Sequence, residues 1–134
     1  MSRLQQVPVS QVMRKDVTIV DGRVDILQAL KIMKRVAATC LIVQKRDDND
    51  EYGMLLFSDI AKEVIAKNRA PERVNIYEIM TKPVVAVRPE MDIRYCARLF
   101  ERVGISHAPV VENEKVVGIV SYYLLVLEGL PDLD

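Results

Sequence analysis

The chain has 134 residues, half of them hydrophobic, and its 19 lysines and arginines balance its 19 aspartates and glutamates. This length suits a single module over residues 1–134 with a core of its own. The balanced charge and scattered basic residues argue against nucleic acid binding, and the sequence has no apolar run of about 18 residues that would cross a membrane. The N-terminus lacks the apolar core of a signal peptide. Cys40 and Cys96 lie in apolar segments, so we expect two reduced, buried thiols and a cytoplasmic protein.

Hydrophobic periodicity predicts two successive sets of strands and helices. The first set comprises a strand at Val17–Val20, a helix at Asp25–Val36, strands at Cys40–Val43 and Gly53–Phe57, and a helix from Ser58 to about Ala66. The second set comprises a strand at Val84–Val87, a helix at Asp92–Val103, strands at Ala108–Val111 and Val116–Val120, and a helix from Ser121 to about Leu127. Short lead-in helices are predicted at Val9–Met13 and Ile76–Met80, a hairpin turn at Asn113–Lys115 and a frayed end at Leu130–Asp134. Asp25, Asp92 and Ser58 are the predicted helix N-caps.

The second set repeats the first residue by residue. Val12-Met13-Arg14-Lys15 returns as Ile79-Met80-Thr81-Lys82, an offset of 67 (80 minus 13). The offset falls to 65 (118 minus 53) at Gly53 and Gly118, because the acidic loop Arg46–Glu51 of the first copy is two residues longer. The predicted organisation is therefore repeat one at 9–67, a linker at 68–73 and repeat two at 74–130.

Each copy supplies one apolar sheet face and two amphipathic helices, which cannot all be buried within a single copy. Two copies that pack face to face about a pseudo-twofold axis would bury both sheets. The predicted fold class is therefore α/β, built from two βαββα repeats.

The repeated pattern resembles the cystathionine-β-synthase (CBS) domain family, in which a tandem pair forms a Bateman module. The resemblance rests on both lead-in segments and on the stretches Gly53–Ile60, Gly104–Val111 and Gly118–Ser121. It implies a disc-like regulatory module with two clefts that commonly hold AMP, ADP, ATP, NAD or S-adenosylmethionine. In the family, an Asp at the start of the last helix takes the ribose hydroxyls. An ionised carboxylate suits this role because it accepts two hydrogen bonds from a vicinal diol.

The two copies divide the family signature between them. The first copy has Asp59 but Leu56 at the Ser/Thr position, whereas the second has Ser121 but Leu124 at the Asp position. The resemblance therefore implies two unequal clefts. The better cleft would combine Ser58, Asp59, Thr81, Lys82, Ile105, Ser106 and His107. The weaker cleft would combine Ser121 and Leu124 with Lys15, Asp16, Ala38, Thr39 and Cys40. Histidine at position 107 would meet phosphate, which its counterpart Cys40 cannot do.

Structural interpretations of the same residues stay open. Asp59 also fits a first-turn helix acid that supports its cap, and His107 a hydrogen-bonded structural group. Lys15 and Lys82 fit exposed positions that share ancestry. The acidic loop is interpreted as a solvated turn in preference to a cation site. Tyr122 and Tyr123 suit either base stacking or contact with a partner.

The chain is predicted not to be an enzyme. It has no Ser/His/Asp or Cys/His set, no phosphate-binding glycine loop and no cluster of metal-ligating residues. The favoured function is a regulatory module that senses an adenosyl ligand, requires no cofactor, forms a homodimer and acts on a target protein in trans. The alternatives are a ligand-free dimerisation or interaction scaffold and an accessory piece of an enzyme or transporter.

Overall fold

The computed structural model describes residues 6–130, so most of the predicted frayed end lies outside the described residues. In chain order the elements are α1 (Val9–Val12), β1 (Ile19–Val20), α2 (Ile26–Val36), β2 (Cys40–Val43), β3 (Gly53–Leu56), α3 (Phe57–Ile60), a π-helical segment (Ala61–Ile65), a 3-10 turn (Pro71–Arg73), α4 (Ile76–Ile79), α5 (Ile93–Val103), β4 (His107–Glu112), β5 (Lys115–Ser121) and α6 (Tyr122–Leu127). This confirms the predicted α/β class. In this described part of the chain, every helix is too short or too polar to traverse a lipid bilayer.

The polypeptide folds as two compact units that do not follow the boundaries of the sequence repeats. The first unit is Thr18–Val84, and the second joins the described residues up to Val17 to those from Val85 onward. Each lead-in helix therefore belongs to the unit built on the strands of the other repeat. Val9 donates its backbone N–H to the Met91 carbonyl (2.7 Å), and Ile76 donates in the same way to Val24 (2.9 Å).

The first unit contains a three-stranded sheet in the order β1-β2-β3. β1 runs parallel to β2, and β2 pairs antiparallel with β3, with Cys40 opposite Leu56 and Val43 opposite Gly53. The amphipathic helix α2 begins at its predicted cap, since the Asp25 carboxylate accepts the Gln28 N–H at 2.9 Å. The side chains of α2 complete a core in which β2 is buried along its whole length.

The second unit contains the antiparallel hairpin of β4 and β5, with α5 beginning at Asp92 as predicted. The predicted strand at Val84–Val87 is reduced to one parallel bridge between Val87 and Val110. In the first unit, Ile42 donates its N–H to the Thr18 carbonyl. The counterpart of Ile42 is Pro109 (42 plus 67), which has no N–H to donate, so the ladder cannot extend.

Candidate functional site

The two copies start their last helix with complementary halves of a capping box. In the first unit, an Asp59 carboxylate oxygen accepts the backbone N–H of Leu56 at 2.8 Å. In the second unit, the Ser121 hydroxyl accepts the N–H of Leu124 at 3.3 Å. A complete box has both groups in one helix start. Ser58 was predicted to be the N-cap, and this is wrong: it lies inside α3, and Leu56 occupies the cap position.

The Asp59 carboxylate is half-buried at the start of α3. Its desolvation raises its pKa above the usual value, an effect opposed by the Leu56 N–H and by the charge of Lys62. Among the described residues, only one of its two oxygens has a hydrogen-bond partner. Asp59 is thus a first-turn acid of α3, as its structural interpretation predicted, but the residue that it supports at the cap position is Leu56 and not Ser58. The remaining acceptor capacity of the carboxylate is available for a ligand hydroxyl.

The other candidates in the first unit surround the same sheet. Cys40 is buried opposite Leu56, with Ala38 and Thr39 directly before it in the chain. Thr81 forms an antiparallel bridge with Met54 in β3, next to Gly53 at the other end of that strand from α3.

Lys82 is held by an ion pair. Its ammonium lies 2.8 Å from the Asp50 carboxylate, which also takes the backbone N–H and the guanidinium of Arg46. These bonds hold the pKa of Asp50 far below its usual value. The acidic loop was predicted to be a solvated turn, but the Asp50 side chain is only 7% exposed. The role of Asp50 was missed from the sequence alone because its partner Lys82 lies 32 residues away in the chain. The signal that could have pointed to it was the two-residue insertion in the acidic loop of the first copy.

In the second unit, residues assigned to different clefts are neighbours. His107 on β4 lies directly opposite Ser121 on β5, and the Ser106 hydroxyl lies 2.8 Å from His107 Nδ1. Ile105 precedes them and donates its N–H to the Phe100 carbonyl. His107 is thus hydrogen-bonded, as its structural interpretation predicted, and burial lowers its pKa. Burial therefore disfavours the charged imidazolium form of His107 in the free protein.

Of the remaining candidates of the second unit, Lys15 and Asp16 lie just after α1, and Leu124 lies in α6. Asp16 is exposed and accepts two hydrogen bonds from the Arg14 guanidinium at 2.7 and 3.0 Å. Lys15 between them is exposed, in agreement with its structural interpretation. Leu124, at the position of the missing carboxylate, is half-buried in α6. The assignment of these residues to two ligand clefts stays a prediction.

Both cysteines are buried as predicted, and neither forms a disulfide. Burial in apolar surroundings raises the pKa of Cys96 to about 11. Such a thiol stays protonated near neutrality and is a poor nucleophile or metal ligand. Over residues 6–130, no group of three or more His, Cys, Asp or Glu side chains is arranged to hold a metal ion.

Several known proteins are similar to this chain in both sequence and overall structure. A hexameric CBS-CP12 protein from bloom-forming cyanobacteria superposes with a TM-score of 0.89 at 33% identity, over 92% of this chain and 71% of that protein. The CBS domain pair of protein MJ0100, solved in complex with 5′-methylthioadenosine and S-adenosyl-L-methionine, superposes with a TM-score of 0.76 at 26% identity, over 89% of this chain and 96% of that one.

Sequence relatives place the same module inside longer proteins. A homoserine O-acetyltransferase from Methanosalsum zhilinae is 36% identical over 118 residues, which are 87% of this chain but only 23% of the enzyme. The chain also spans 60% of protein MK0525 from Methanopyrus kandleri, at 28% identity. The family model for the CBS domain matches twice, at residues 9–66 and 76–126. The chain therefore belongs to the CBS domain family.

Proposed function

We propose that the chain is a regulatory module that binds an adenosyl ligand, with the Asp59 carboxylate accepting the ribose hydroxyls. The observation that carries the proposal is the half-buried Asp59 carboxylate, which uses one oxygen to cap α3 and keeps the other without a partner in the described structure. The MJ0100 domain pair supports the ligand class, since it was solved with two adenosyl compounds.

The electrostatics of Asp59 favour a ligand that donates hydrogen bonds. Burial raises the pKa of this carboxyl group, which means that its ionised form lacks full solvation in the free protein. A vicinal diol offers two O–H donors to the ionised form and would restore that solvation. Ligand binding would then lower the pKa of Asp59 again. A ligand without the diol gains nothing from this carboxylate.

A thermal-shift panel of AMP, ADP, ATP, NAD and S-adenosylmethionine tests the proposal. A ligand present at 100 times its Kd stabilises the folded state by about 2.7 kcal/mol, which raises the melting temperature by several degrees. At least one adenosyl compound is expected to give such a shift. If none does, up to millimolar concentration, the chain is not an adenosyl sensor.

The proposed output of ligand binding is regulation of a partner protein in trans, without a reaction of the chain's own. Binding can control a partner only if the ligand prefers one conformation or assembly of the module. Two buried cysteines that form no disulfide are consistent with a reducing compartment such as the cytoplasm.

A specific observation favours the second candidate function, a dimerisation or interaction scaffold. Tyr123, Val126, Leu127 and Leu130 follow helical spacing at the C-terminal end of the second unit, and all four are exposed, Tyr123 by 69%. An apolar stripe of this kind suits a second copy of the chain. Light scattering is expected to give a dimer mass for the unmodified chain and a monomer mass for Val126→Glu, whereas an exposed control, Glu128→Gln, stays dimeric.

A further inference from the structure

The first unit has a hollow of about 900 Å³ whose lining does not include Asp59. It opens at the ends of β1 and β2 and at the start of α4. The pairing of β2 with β3 fixes its position relative to Asp59: Cys40 at the start of β2 pairs with Leu56 beside α3, whereas Val43 at its end pairs with Gly53 and lines the hollow. The hollow and the ribose carboxylate therefore lie at opposite ends of β2.

The hollow combines an apolar floor, an aromatic wall and a basic rim. The apolar floor consists of Val43 and Met80, and the aromatic wall is Tyr77, which is 54% exposed. The basic rim consists of four cationic side chains, those of Arg23, Lys45, Arg46 and Lys82. Two carboxylates oppose them, Asp21 paired with Arg23 and Asp50 paired with Arg46 and Lys82, so the net charge is +2 (four minus two).

The outer cations remain accessible although they are paired. The side chains of Arg23 and Arg46 are 85% and 81% exposed, and their ion pairs with Asp21 and Asp50 leave guanidinium N–H groups facing water. Lys45 lies over the ring of Tyr52, 5.1 Å from its centroid, which fixes the ammonium near the rim. An anion that enters the hollow would meet these donors without the loss of an existing ion pair.

The second repeat provides an internal comparison, because it keeps the apolar floor and loses the net positive charge of the rim. At the offset of 67, Val43 and Met80 correspond to Val110 and Met13. Four positions change against an aromatic anion: Arg23 becomes Glu90, Lys45 becomes Glu112, Arg46 becomes Asn113 and Tyr77 becomes Ser10. Two positions do not, since Lys82 is kept as Lys15 and Asp21 becomes Arg88, so the corresponding residues of the second copy carry two positive and two negative charges. The floor is thus shared by both copies as part of the fold, whereas the net positive charge and the aromatic ring belong to the first copy alone.

From the composition of this hollow we infer that it is a second binding site, for a small planar aromatic molecule that carries a phosphate or carboxylate group. The ring would lie on Val43 and Met80 against Tyr77, where stacking adds to the apolar contact. The anionic group would reach the guanidinium groups of Arg23 and Arg46, which bind phosphate and carboxylate oxygens in pairs, and the Lys45 ammonium, which adds a single positive charge. The ligand needs no ribose and does not contact Asp59, so this inference can be tested separately from the adenosyl proposal.

Nuclear magnetic resonance titration of the ¹⁵N-labelled chain with 4-nitrophenyl phosphate tests this inference, since the probe has a ring and a phosphate but no ribose. At about 10 mM probe, enough to saturate a millimolar site, the amides of Gly22, Gln44 and Tyr77 are expected to shift together with one Kd. Inorganic phosphate, which lacks the ring, is expected to bind several-fold more weakly. 4-Nitrobenzoate replaces the phosphate by a carboxylate, and its Kd relative to that of the aryl phosphate tells which anion the rim prefers.

Variants that carry the residues of the second copy complete the test. Arg23→Glu combined with Arg46→Asn removes two positive charges from the rim and adds one negative charge, and is expected to weaken 4-nitrophenyl phosphate binding about ten-fold. Tyr77→Ser should weaken the aryl phosphate but not inorganic phosphate, and the exposed control Lys31→Glu should change neither. The inference is wrong if the hollow amides do not shift, if inorganic phosphate binds as tightly as the aryl phosphate, or if the rim variant, folded by its melting temperature, binds as tightly as the unmodified chain.

Discussion

Replacing Asp59 by asparagine is expected to weaken adenosyl binding without lowering thermal stability. The carboxylate has two separate tasks in this account. One oxygen accepts the Leu56 N–H at 2.8 Å and starts α3, and the other is reserved for the ribose diol. An asparagine side chain has one carbonyl oxygen, which can keep the first bond, but it lacks the negative charge that strengthens the second.

The magnitudes follow from these bonds. Loss of a helix-start acceptor costs about 1 kcal/mol, which for a chain of this size lowers the melting temperature by about 3–5 °C. Asp59→Ala should show this loss, and Asp59→Asn should not. Hydrogen bonds to an ionised group contribute roughly 1–2 kcal/mol more than neutral ones, so the asparagine variant should bind an adenosyl ligand about ten-fold more weakly.

The stability difference between Asp59→Asn and the unmodified chain should also depend on pH. Burial raises the pKa of Asp59 in the folded state, so its stabilising effect is present below the ordinary value of 3.8 and is lost as pH rises through the folded pKa. As pH rises above 3.8, Asp59→Asn should therefore gain stability relative to the unmodified chain. Melting curves and calorimetric titrations at pH 7 and pH 4 measure both effects. The reasoning is refuted if asparagine lowers the melting temperature as much as alanine does, or if it binds the ligand with unchanged affinity.

Three further predictions concern other parts of the two units. Asp50→Asn should lower the melting temperature at pH 7 because Lys82 loses its ion pair, and the difference should shrink progressively as pH falls below 3.8 toward the much lower pKa of the folded state; the same change at exposed Asp48 should have no effect on melting at pH 7. Gly118→Ala should destabilise the fold by about 1–3 kcal/mol in urea unfolding, because the added methyl group would lie 3.0 Å from the Arg14 carbonyl oxygen, and an unchanged midpoint would contradict this packing. His107→Gln should reduce the loss of stability on acidification below about pH 6.5, since the folded state resists protonation of His107, and parallel pH profiles for the two proteins would argue against burial as the cause.

Most of the fold could be predicted from the sequence because its determinants are local. The caps at Asp25 and Asp92 and the apolar spacing after them place α2 and α5 to within a residue. The strand at Val84–Val87 could not be placed from its own residues. Its failure to pair depends on Pro109, a residue of another strand, and strand length is set by both partners in a ladder.

The exchange of lead-in helices between the two compact units was beyond sequence reasoning for a similar reason. The repeat fixes which residues correspond, but not whether α1 packs with its own repeat or with the other one. That choice depends on distant hydrogen bonds, such as those that join Arg14 and Ile119 in both directions at 2.9 Å.

The candidate site was predictable as a set of residue types but not as a set of contacts. The divided signature correctly located Asp59 and Ser121 at helix starts. The sequence could not reveal that Asp59 reaches back to Leu56, that Asp50 occupies Lys82, or that His107 is paired with Ser106. Each of these contacts depends on side-chain reach in the folded chain. Only the contact between Ser106 and His107 joins adjacent residues, and whether it forms depends on the rotamers of the two side chains.

Calorimetric titration with 5′-methylthioadenosine and with its 2′,3′-dideoxy analogue tests the role of the ribose diol most directly. The two molecules differ only in the hydroxyl groups that the Asp59 carboxylate is proposed to accept. The account predicts saturable binding of the parent compound and at least about ten-fold weaker binding of the analogue. Equal affinities for the two compounds, or heat from neither, would contradict it.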